Sequence, residues 1–190
     1  EYTKKGLSIP SPSEVTLIRI ENKSNDWSRT SMLPLKLKGE KTLLYRKSPF
    51  MTDPISAQIA VNAHKNGNYP EISDEFYNLV KELAVKQNGL EPEDREALIL
   101  SQDEDYTILL ESDEARFILE SSAKKYFNQF NHSSIKIYNL SSDVNPKKGN
   151  CVANFLWFDR PVNDSGVYLW NRDLDNDGRS FGVLRSAEGT

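Results

Sequence analysis

Residues 150–186, NCVANFLWFDRPVNDSGVYLWNRDLDNDGRSFGVLRS, differ from the rest of the chain in their pattern of apolar and turn-forming residues. Short runs of β-branched and aromatic residues are separated here by Asn, Asp, Ser and Gly, which favour turns. The pattern predicts short strands within 151–159, 166–171 and 181–185, preceded by another at 135–138. The last third of the chain is therefore predicted to be a loop-rich set of short strands.

Upstream of this tail the hydrophobic pattern is mostly helical. Apolar residues recur at helical spacing over 53–66, 73–88 and 112–127. A further short helix is predicted over 91–100, because Pro and acidic residues at its start favour a first helical turn. In the clearest helix the predicted buried stripe comprises Phe76, Leu79, Val80, Leu83 and Ala84.

Strands are predicted at 14–21, where β-branched residues are frequent, and at 105–110, with a hairpin over 35–46. Separate runs of helices and strands favour an α+β fold, in which helices pack on a small, mostly antiparallel sheet. A chain of 190 residues fits one domain. We expect an extended lead-in over 1–12 and a single α+β domain over 13–190.

Charge and composition narrow the possible partners. The chain has 28 acidic and 24 basic residues, a formal charge of -4, and no basic face that would follow phosphates, so nucleic acid is not an expected partner. Its apolar runs fall far short of the roughly 20 residues that cross a bilayer, so no transmembrane segment is predicted.

The residue types that carry catalysis are scarce. Cys151 is the lone cysteine, which excludes an internal disulfide and a thiolate zinc cluster. His64 and His132 stand apart from any known nucleophile motif, and no phosphate-binding loop or zinc-protease motif occurs. We therefore expect no catalytic residues, no cofactor and no enzymatic activity, and we expect Cys151 to be buried.

One acidic run keeps a metal site open as an alternative. Residues 173–178, Asp-Leu-Asp-Asn-Asp-Gly, resemble the start of a calcium loop, but Leu184 stands where such a loop needs a bidentate carboxylate. A calcium- or magnesium-dependent module or enzyme built on Asp173, Asp175 and Asp177 is the alternative. Calcium binding that disappears in Asp175→Asn would favour it.

Aromatic and polar side chains intermingle in the tail, a composition typical of binding surfaces. The alternative is that Trp157 and Trp170 close a second small core. The predicted ligand-binding residues are Asn154, Trp157, Asp159, Arg160, Asn163, Tyr168, Trp170, Arg172, Asp173, Asp175 and Asp177.

The predicted strand at 166–171 sorts these residues by face. Side chains alternate along a strand, so Tyr168, Trp170 and Arg172 share one face, opposite Val167 and Leu169. If the aliphatic pair is buried, the two aromatics and the arginine face outward. Exposed clusters of aromatic residues and arginine are the usual material of interface hot spots.

The order of the predicted elements and the closing residues Phe181-Gly182-Val183-Leu184-Arg185-Ser186 resemble the C-type lectin-fold variable proteins encoded beside diversity-generating retroelements. The resemblance implies that the terminal strand pairs with the first and that 150–181 is a hypervariable ligand-binding region. It also implies a viral or prokaryotic source.

The leading functional hypothesis is a ligand-binding protein that displays a variable surface to a protein or cell-surface ligand. Aromatic burial would supply affinity, and the polar groups between would supply specificity. A structural subunit of a viral or cellular assembly is a further alternative, which a stable oligomer with buried tryptophans would favour.

Overall fold

The computed structural model describes residues 7–22, 28–66, 68–140, 150–159, 166–169 and 183–184. The strands are β1 (Leu7–Ser8), β2 (Ser28–Arg29), β3 (Leu33–Lys36), β4 (Leu43–Tyr45), β5 (Glu71–Ser73), β6 (Ala97–Ile99), β7 (Tyr106–Leu109), β8 (Ser134–Tyr138), β9 (Asn150–Ala153), β10 (Trp157–Phe158), β11 (Gly166–Tyr168) and β12 (Val183–Leu184). The helices are α1 (Pro12–Asn22), α2 (Pro49–Thr52), α3 (Pro54–Lys65), α4 (Asp74–Lys86), α5 (Asp113–Leu119) and α6 (Ala123–Gln129).

The described strands form two five-stranded sheets and one separate pair. Sheet I has the order β2–β10–β11–β8–β7, and sheet II has the order β5–β9–β3–β4–β6. Strands β8 and β11 are parallel, while the other described pairs are antiparallel. These sheets and helices confirm the predicted α+β class. Strand β1 pairs with β12, Leu7 opposite Leu184, as the resemblance implied for the first and last strands.

The core contains two hydrophobic clusters, and sheet II contributes to both, since Leu44 of β4 and Leu98 of β6 belong to the first. Helix α1 contacts α5 and α6, and side chains from all three join Phe158, Val167 and Ile137 of sheet I in the first cluster. Helix α4 contacts β4, β6 and β9 of sheet II, where Tyr77 and Val80 join the second cluster. The inner face of sheet I is therefore fixed by helices.

Most of the local sequence patterns predicted the right elements. The predicted helices at 53–66 and 73–88 correspond to α3 and α4, and the predicted hairpin corresponds to β3 and β4. Ser73 caps α4 by accepting a hydrogen bond from the Phe76 amide. The predicted strands at 105–110 and 135–138, and the short strands of the tail, are also present as β7 to β12.

The buried face of α4 differs from the predicted one. Leu79 is 65% exposed, whereas Tyr77, Val80 and Ala84 are buried. The hydroxyl of Tyr77 donates to the carbonyl oxygen of Lys41, so this large side chain is buried with its polar end satisfied. Burying the tyrosine turns Leu79 toward solvent.

The strand predicted at 14–21 is wrong, because this segment forms helix α1. The amide of Glu14 donates to Ser11 Oγ at 3.2 Å, and the amide of Ser11 donates to Glu14 Oε2 at 2.6 Å. This reciprocal pair is a capping box, and Pro12 occupies the first helical position. The cap and burial of one helical face outweigh the β propensity of Val15 and its neighbours.

Two other helix predictions need correction. In 91–100 only Pro92–Asp94 is helical, as a 3-10 turn, and Ala97–Ile99 is strand β6, paired with β4. The helix predicted over 112–127 is divided at Glu120, whose φ of 50° ends α5. Pairing with a distant strand explains the first difference, and a local break in the helix explains the second. Neither is visible in the spacing of apolar residues.

The buried side chain of Arg19 joins α1 to sheet I. Arg19 is 0% exposed, and its guanidinium donates to the carbonyl oxygens of Phe158, at 3.1 Å, and Asp159. It also donates to the hydroxyls of Ser28 and Tyr126, each at 3.3 Å. A buried guanidinium is tolerated only when its donors find acceptors, so this network holds the end of β10 against the helix.

Replacing Arg19 with Met should therefore destabilise the fold strongly. The methionine fills part of the space but leaves two buried carbonyl oxygens without their donor, for an expected loss of about 2–4 kcal/mol in the free energy of unfolding. Urea denaturation measures the change. Glu21→Ala, at an exposed position of the same helix, should change the free energy by less than about 0.5 kcal/mol. Equal stability of Arg19→Met and Glu21→Ala would show that the network is unimportant.

Candidate functional site

The face of sheet I opposite the helices carries a continuous row of residues that we call the outer row. From β2 to β8, successive strand partners in this row are Arg29, Trp157, Tyr168 and Tyr138. The adjacent row belongs to the buried face and comprises Ser28, Phe158, Val167 and Ile137. Because side chains alternate along a strand, the two rows belong to opposite faces of one sheet.

The outer row contains one stacked pair of rings and two cation–π contacts. The Arg29 guanidinium lies 4.3 Å from the centre of the Trp157 ring. The Tyr138 and Tyr168 rings are stacked, with centroids 4.1 Å apart and planes 9° apart. Lys136 Nζ lies 4.6 Å from the centre of the Tyr138 ring. Cation–π contacts of this kind contribute about 0.5–1 kcal/mol each at exposed sites, so they order the side chains of the row.

Asp159 connects the outer row to the buried network. The Tyr168 hydroxyl donates to Asp159 Oδ2 at 3.2 Å, and the carbonyl oxygen of Asp159 accepts from Arg19. Burial, then the neighbouring Tyr138 and Asp159, raise the pKa of Tyr168 well above its usual value. The Tyr168 hydroxyl therefore stays protonated at neutral pH and keeps its role as donor.

Gly166 makes room for the tyrosine stack. A Cβ at this position would lie 2.7 Å from Tyr138 Cε2 and 3.1 Å from Tyr168 Cε2. Both distances are below or at the lower limit of carbon–carbon contact, so a side chain would push the rings off the sheet. Glycine at a strand position commonly marks such a close approach.

Three of the predicted binding residues come together in the described structure. Trp157 and Asp159 are half-buried on the outer face, and Tyr168 lies between them and Tyr138. Tyr168 lies on the face opposite the buried Val167 and Leu169, as predicted, but its side chain is only 5% exposed, because the Tyr138 ring stacks on it.

Asn154 is placed away from the surface. It is 3% exposed, and its Nδ2 donates to the carbonyl oxygen of Leu169 at 2.9 Å. The Asn154 side-chain amide therefore links the segment before β10 to the residue after β11, so its role in this structure is to stabilise the fold. The other predicted binding residues, which are Arg160, Asn163, Trp170, Arg172, Asp173, Asp175 and Asp177, lie outside the described residues.

The sequence reasoning missed Arg29, Lys136 and Tyr138 as members of the surface. For the last two a signal existed, since the alternation of Ser134–Tyr138 places Lys136 and Tyr138 on one face and the buried Ile135 and Ile137 on the other. Arg29 lies in a two-residue strand, which is too short to show a period. Its position follows only from the pairing of β2 with β10.

The chemistry available in the described part is limited. Cys151 is buried, as predicted, and burial raises the pKa of its thiol to about 12, so it stays protonated. His132 is half-buried and stacks on Phe130. Within the described residues there is no group of three possible metal-ligating side chains, and the Asp173 run lies outside them. None of the helices described is both long and apolar enough to span a bilayer.

Comparison with known proteins supports the fold. No protein-family model matches the chain, and no curated protein matches it. A solved structure from work on the accommodation of massive sequence variation in Nanoarchaeota by the C-type lectin fold is similar, with a TM-score of 0.53 and 12% identity over 92% of this chain and 82% of that chain. At this identity the likeness bears on fold alone: the chain has an α+β fold that resembles the C-type lectin fold.

Substitution of Gly166 by Ala should damage the outer row. The added methyl group forces the tyrosine pair apart, and such overpacking costs about 1–3 kcal/mol. Thermal unfolding measures the loss, and near-ultraviolet circular dichroism reports the tyrosine stack. Gly89→Ala is the matched control, because a Cβ there meets nothing within 4 Å. Identical melting curves and spectra for the two variants would contradict the close packing at Gly166.

Proposed function

We propose that the protein is a ligand-binding protein whose binding surface is the outer face of sheet I together with the neighbouring C-terminal segment. The proposed target is a protein or another cell-surface macromolecule. The observation that carries the proposal is the outer row itself, in which aromatic rings are bordered by Arg29 and Lys136 on the sheet face opposite the core.

The accessibility of the row supports a role in contact with another molecule. Trp157 and Tyr138 are half-buried, and Lys136 is exposed, so ring surface and a cation are both presented to solvent. Tryptophan, tyrosine and arginine are the residues that most often dominate binding energy at protein interfaces. Because stacking already orders these side chains, a partner would lose less side-chain entropy on binding them.

The burial of the inner face supports different roles for the two faces of sheet I, with packing on the inner face and ligand contact on the outer one. Phe158 and Val167 are fully buried directly beside Trp157 and Tyr168. A substitution at an inner position changes core packing, whereas one at Trp157 changes mainly the surface. We propose that positions of this kind within 150–181 vary between copies of the protein while the inner positions stay constant. The lectin-like neighbour, whose fold accommodates massive sequence variation, supports this reading.

The lectin-like scaffold also favours binding over catalysis. We propose that the chain has no enzymatic activity and that its described polar groups orient a partner. The predicted positions Arg160, Asn163, Trp170, Arg172 and Asp173 are proposed to extend the same surface. Two alternatives stay open. Calcium binding in a calorimetric titration that disappears in Asp175→Asn would favour the metal-dependent alternative at Asp173, Asp175 and Asp177, and a stable oligomer with buried tryptophans in sedimentation would favour the structural subunit.

A binding experiment on intact cells tests the surface. Wild-type protein carrying an N-terminal fluorophore is measured by flow cytometry against a panel of microbial cells. Trp157→Ala should weaken binding at least about tenfold, because a hot-spot aromatic contributes 2 kcal/mol or more. Leu79→Ala, 65% exposed on α4, is the control and should bind like wild type. Equal binding by both variants would remove the outer row from the proposed site.

The DNA beside the coding region tests the proposed variation. We expect a near-copy of the segment encoding 150–181 close to a reverse transcriptase gene, differing mainly where the copy has adenine. Differences should fall on the codon of Trp157 and spare those of Phe158 and Val167, because the latter two side chains are core. Absence of any near-copy would refute diversification by this route. It would not affect the proposal of ligand binding, which the cell-binding experiment tests separately.

A further inference from the structure

Helix α3 turns its larger apolar residues away from the core. Ile55, Ile59 and Val61 are 73%, 44% and 46% exposed. The small residues Ala57 and Ala60 are half-buried instead, and none of the described residues of α3 is fully buried. Surface helices normally bury their large apolar residues and expose polar ones. The outward side of α3 is therefore of the kind that a partner covers.

The outward side of α3 carries no charge, which restricts what covers it. No Asp, Glu, Lys or Arg occurs from 54 to 63, although 27% of the chain is charged. The exposed Leu79 of α4 differs, because it lies among the exposed residues Glu75, Glu82 and Lys86. A charged partner would find no opposite charge on α3, whereas a second copy of the helix would meet no like charge. The charge pattern therefore favours contact of α3 with itself.

Two amide side chains in the middle of the outward side are complementary to themselves. Gln58 Nε2 donates to Asn62 Oδ1 at 2.8 Å, and both residues are exposed. This bond leaves Gln58 Oε1 as an acceptor and Asn62 Nδ2 as a donor for further contacts. In a second α3 that lies antiparallel, Gln58 of one copy comes level with Asn62 of the other. Each remaining acceptor then faces a remaining donor.

The same arrangement brings identical apolar residues together. The twofold axis that relates the two copies passes at the level of Ala60, and Ile59 and Val61 lie on opposite sides of the amide pair because successive residues turn by about 100°. Ile59 therefore faces Ile59 of the second copy, and Val61 faces Val61. Such self-complementary contacts are the property of a twofold interface.

The ends of α3 favour the antiparallel direction. In sequence the helix follows the acidic Asp53 and ends at the basic Lys65. Antiparallel pairing places the acidic end of one copy beside the basic end of the other, and it also aligns the helix dipoles favourably. Parallel pairing would bring together ends of the same sign.

We propose that α3 mediates a reversible dimer of this chain, in which two copies of the helix pair antiparallel about a twofold axis. The helix is about 18 Å long and about 10 Å wide, so each copy buries much less than the roughly 800 Å² per partner of a standard interface. The dimer is therefore weak, with a Kd of about 100 µM. No residue of the outer row takes part, so the dimer does not rest on the proposed ligand binding.

Sedimentation velocity of the full chain tests the dimer. Between about 5 and 500 µM the weight-average sedimentation coefficient should rise from the monomer value toward the dimer value, as a Kd of about 100 µM requires. Ile59→Glu places two like charges opposite each other and should weaken the dimer at least about tenfold. Leu79→Glu makes the same change at an exposed apolar position of α4 and is the matched control, which should associate like wild type.

A mixture of two variants tests whether position 59 faces itself. Ile59→Lys alone should be as poorly associated as Ile59→Glu, because it also sets like charges against each other. An equal mixture of Ile59→Glu and Ile59→Lys should associate at least about tenfold more tightly than either variant alone, since opposite charges then meet. Contact of α3 with a different surface of the chain would not give this recovery.

Three results would overturn the proposal. They are a wild-type chain that stays monomeric at every concentration, a wild-type dimer that persists in Ile59→Glu, and a mixture that associates no better than its components. A dimer that is lost in Trp157→Ala but kept in Ile59→Glu would place the contact on the outer row. Circular dichroism checks that each variant is folded. If a variant at Ile59 does not fold, Val61→Glu and Val61→Lys replace the pair, because Val61 also faces its own counterpart.

Discussion

The placement of the candidate site depends on one buried guanidinium. Arg19 loses its hydration on folding, and that cost is offset only because acceptors from β2, β10 and α6 converge on it. Two of these acceptors are consecutive carbonyl oxygens, of Phe158 and Asp159, at the point where β10 ends. Helix α1 thereby fixes the backbone from which Trp157 and Asp159 extend. The outer row is held in place by contacts on the opposite face of sheet I.

The strict alternation of a strand then separates the buried face of sheet I from its outer face. Once Phe158 is fixed inward, Trp157 has to take the opposite face, and the pairing of β10 with β11 does the same for Val167 and Tyr168. The parallel contact of β8 with β11 brings Tyr138 beside Tyr168, where Gly166 leaves space for both rings. The outer row is thus a consequence of register, and a slip of one residue would exchange it with the core.

Sequence alone predicted those features that depend on neighbouring residues. The α4 helix was recognisable from Ser73 and its apolar period, and the turn-rich tail was recognisable as short strands. Helix α1 was mistaken for a strand because the β-branched content of 14–21 was given more weight than Ser11 and Glu14, which form the capping box. In the candidate site, Trp157 and Asp159 were predicted from composition. The place of Arg29 beside Trp157, and of Tyr138 beside Tyr168, follows from pairing between strands that are distant in sequence, which no local pattern encodes.

The same geometry makes replacements at different positions of the outer face differ in their structural cost. Tyr168 is on that face, yet its ring is covered and its hydroxyl donates a hydrogen bond to Asp159. Most replacements of Tyr168 would therefore leave a cavity and remove a hydrogen bond from the Asp159 carboxylate. The described ring contact of Trp157 is instead with the guanidinium of Arg29, which also lies over the Phe155 ring. A replacement at Trp157 would therefore disturb a cation–π contact, whereas one at Tyr168 would disturb both a ring stack and a hydrogen bond. For the proposed binding surface, position in the row as well as the face of the strand therefore determines the structural cost of a replacement.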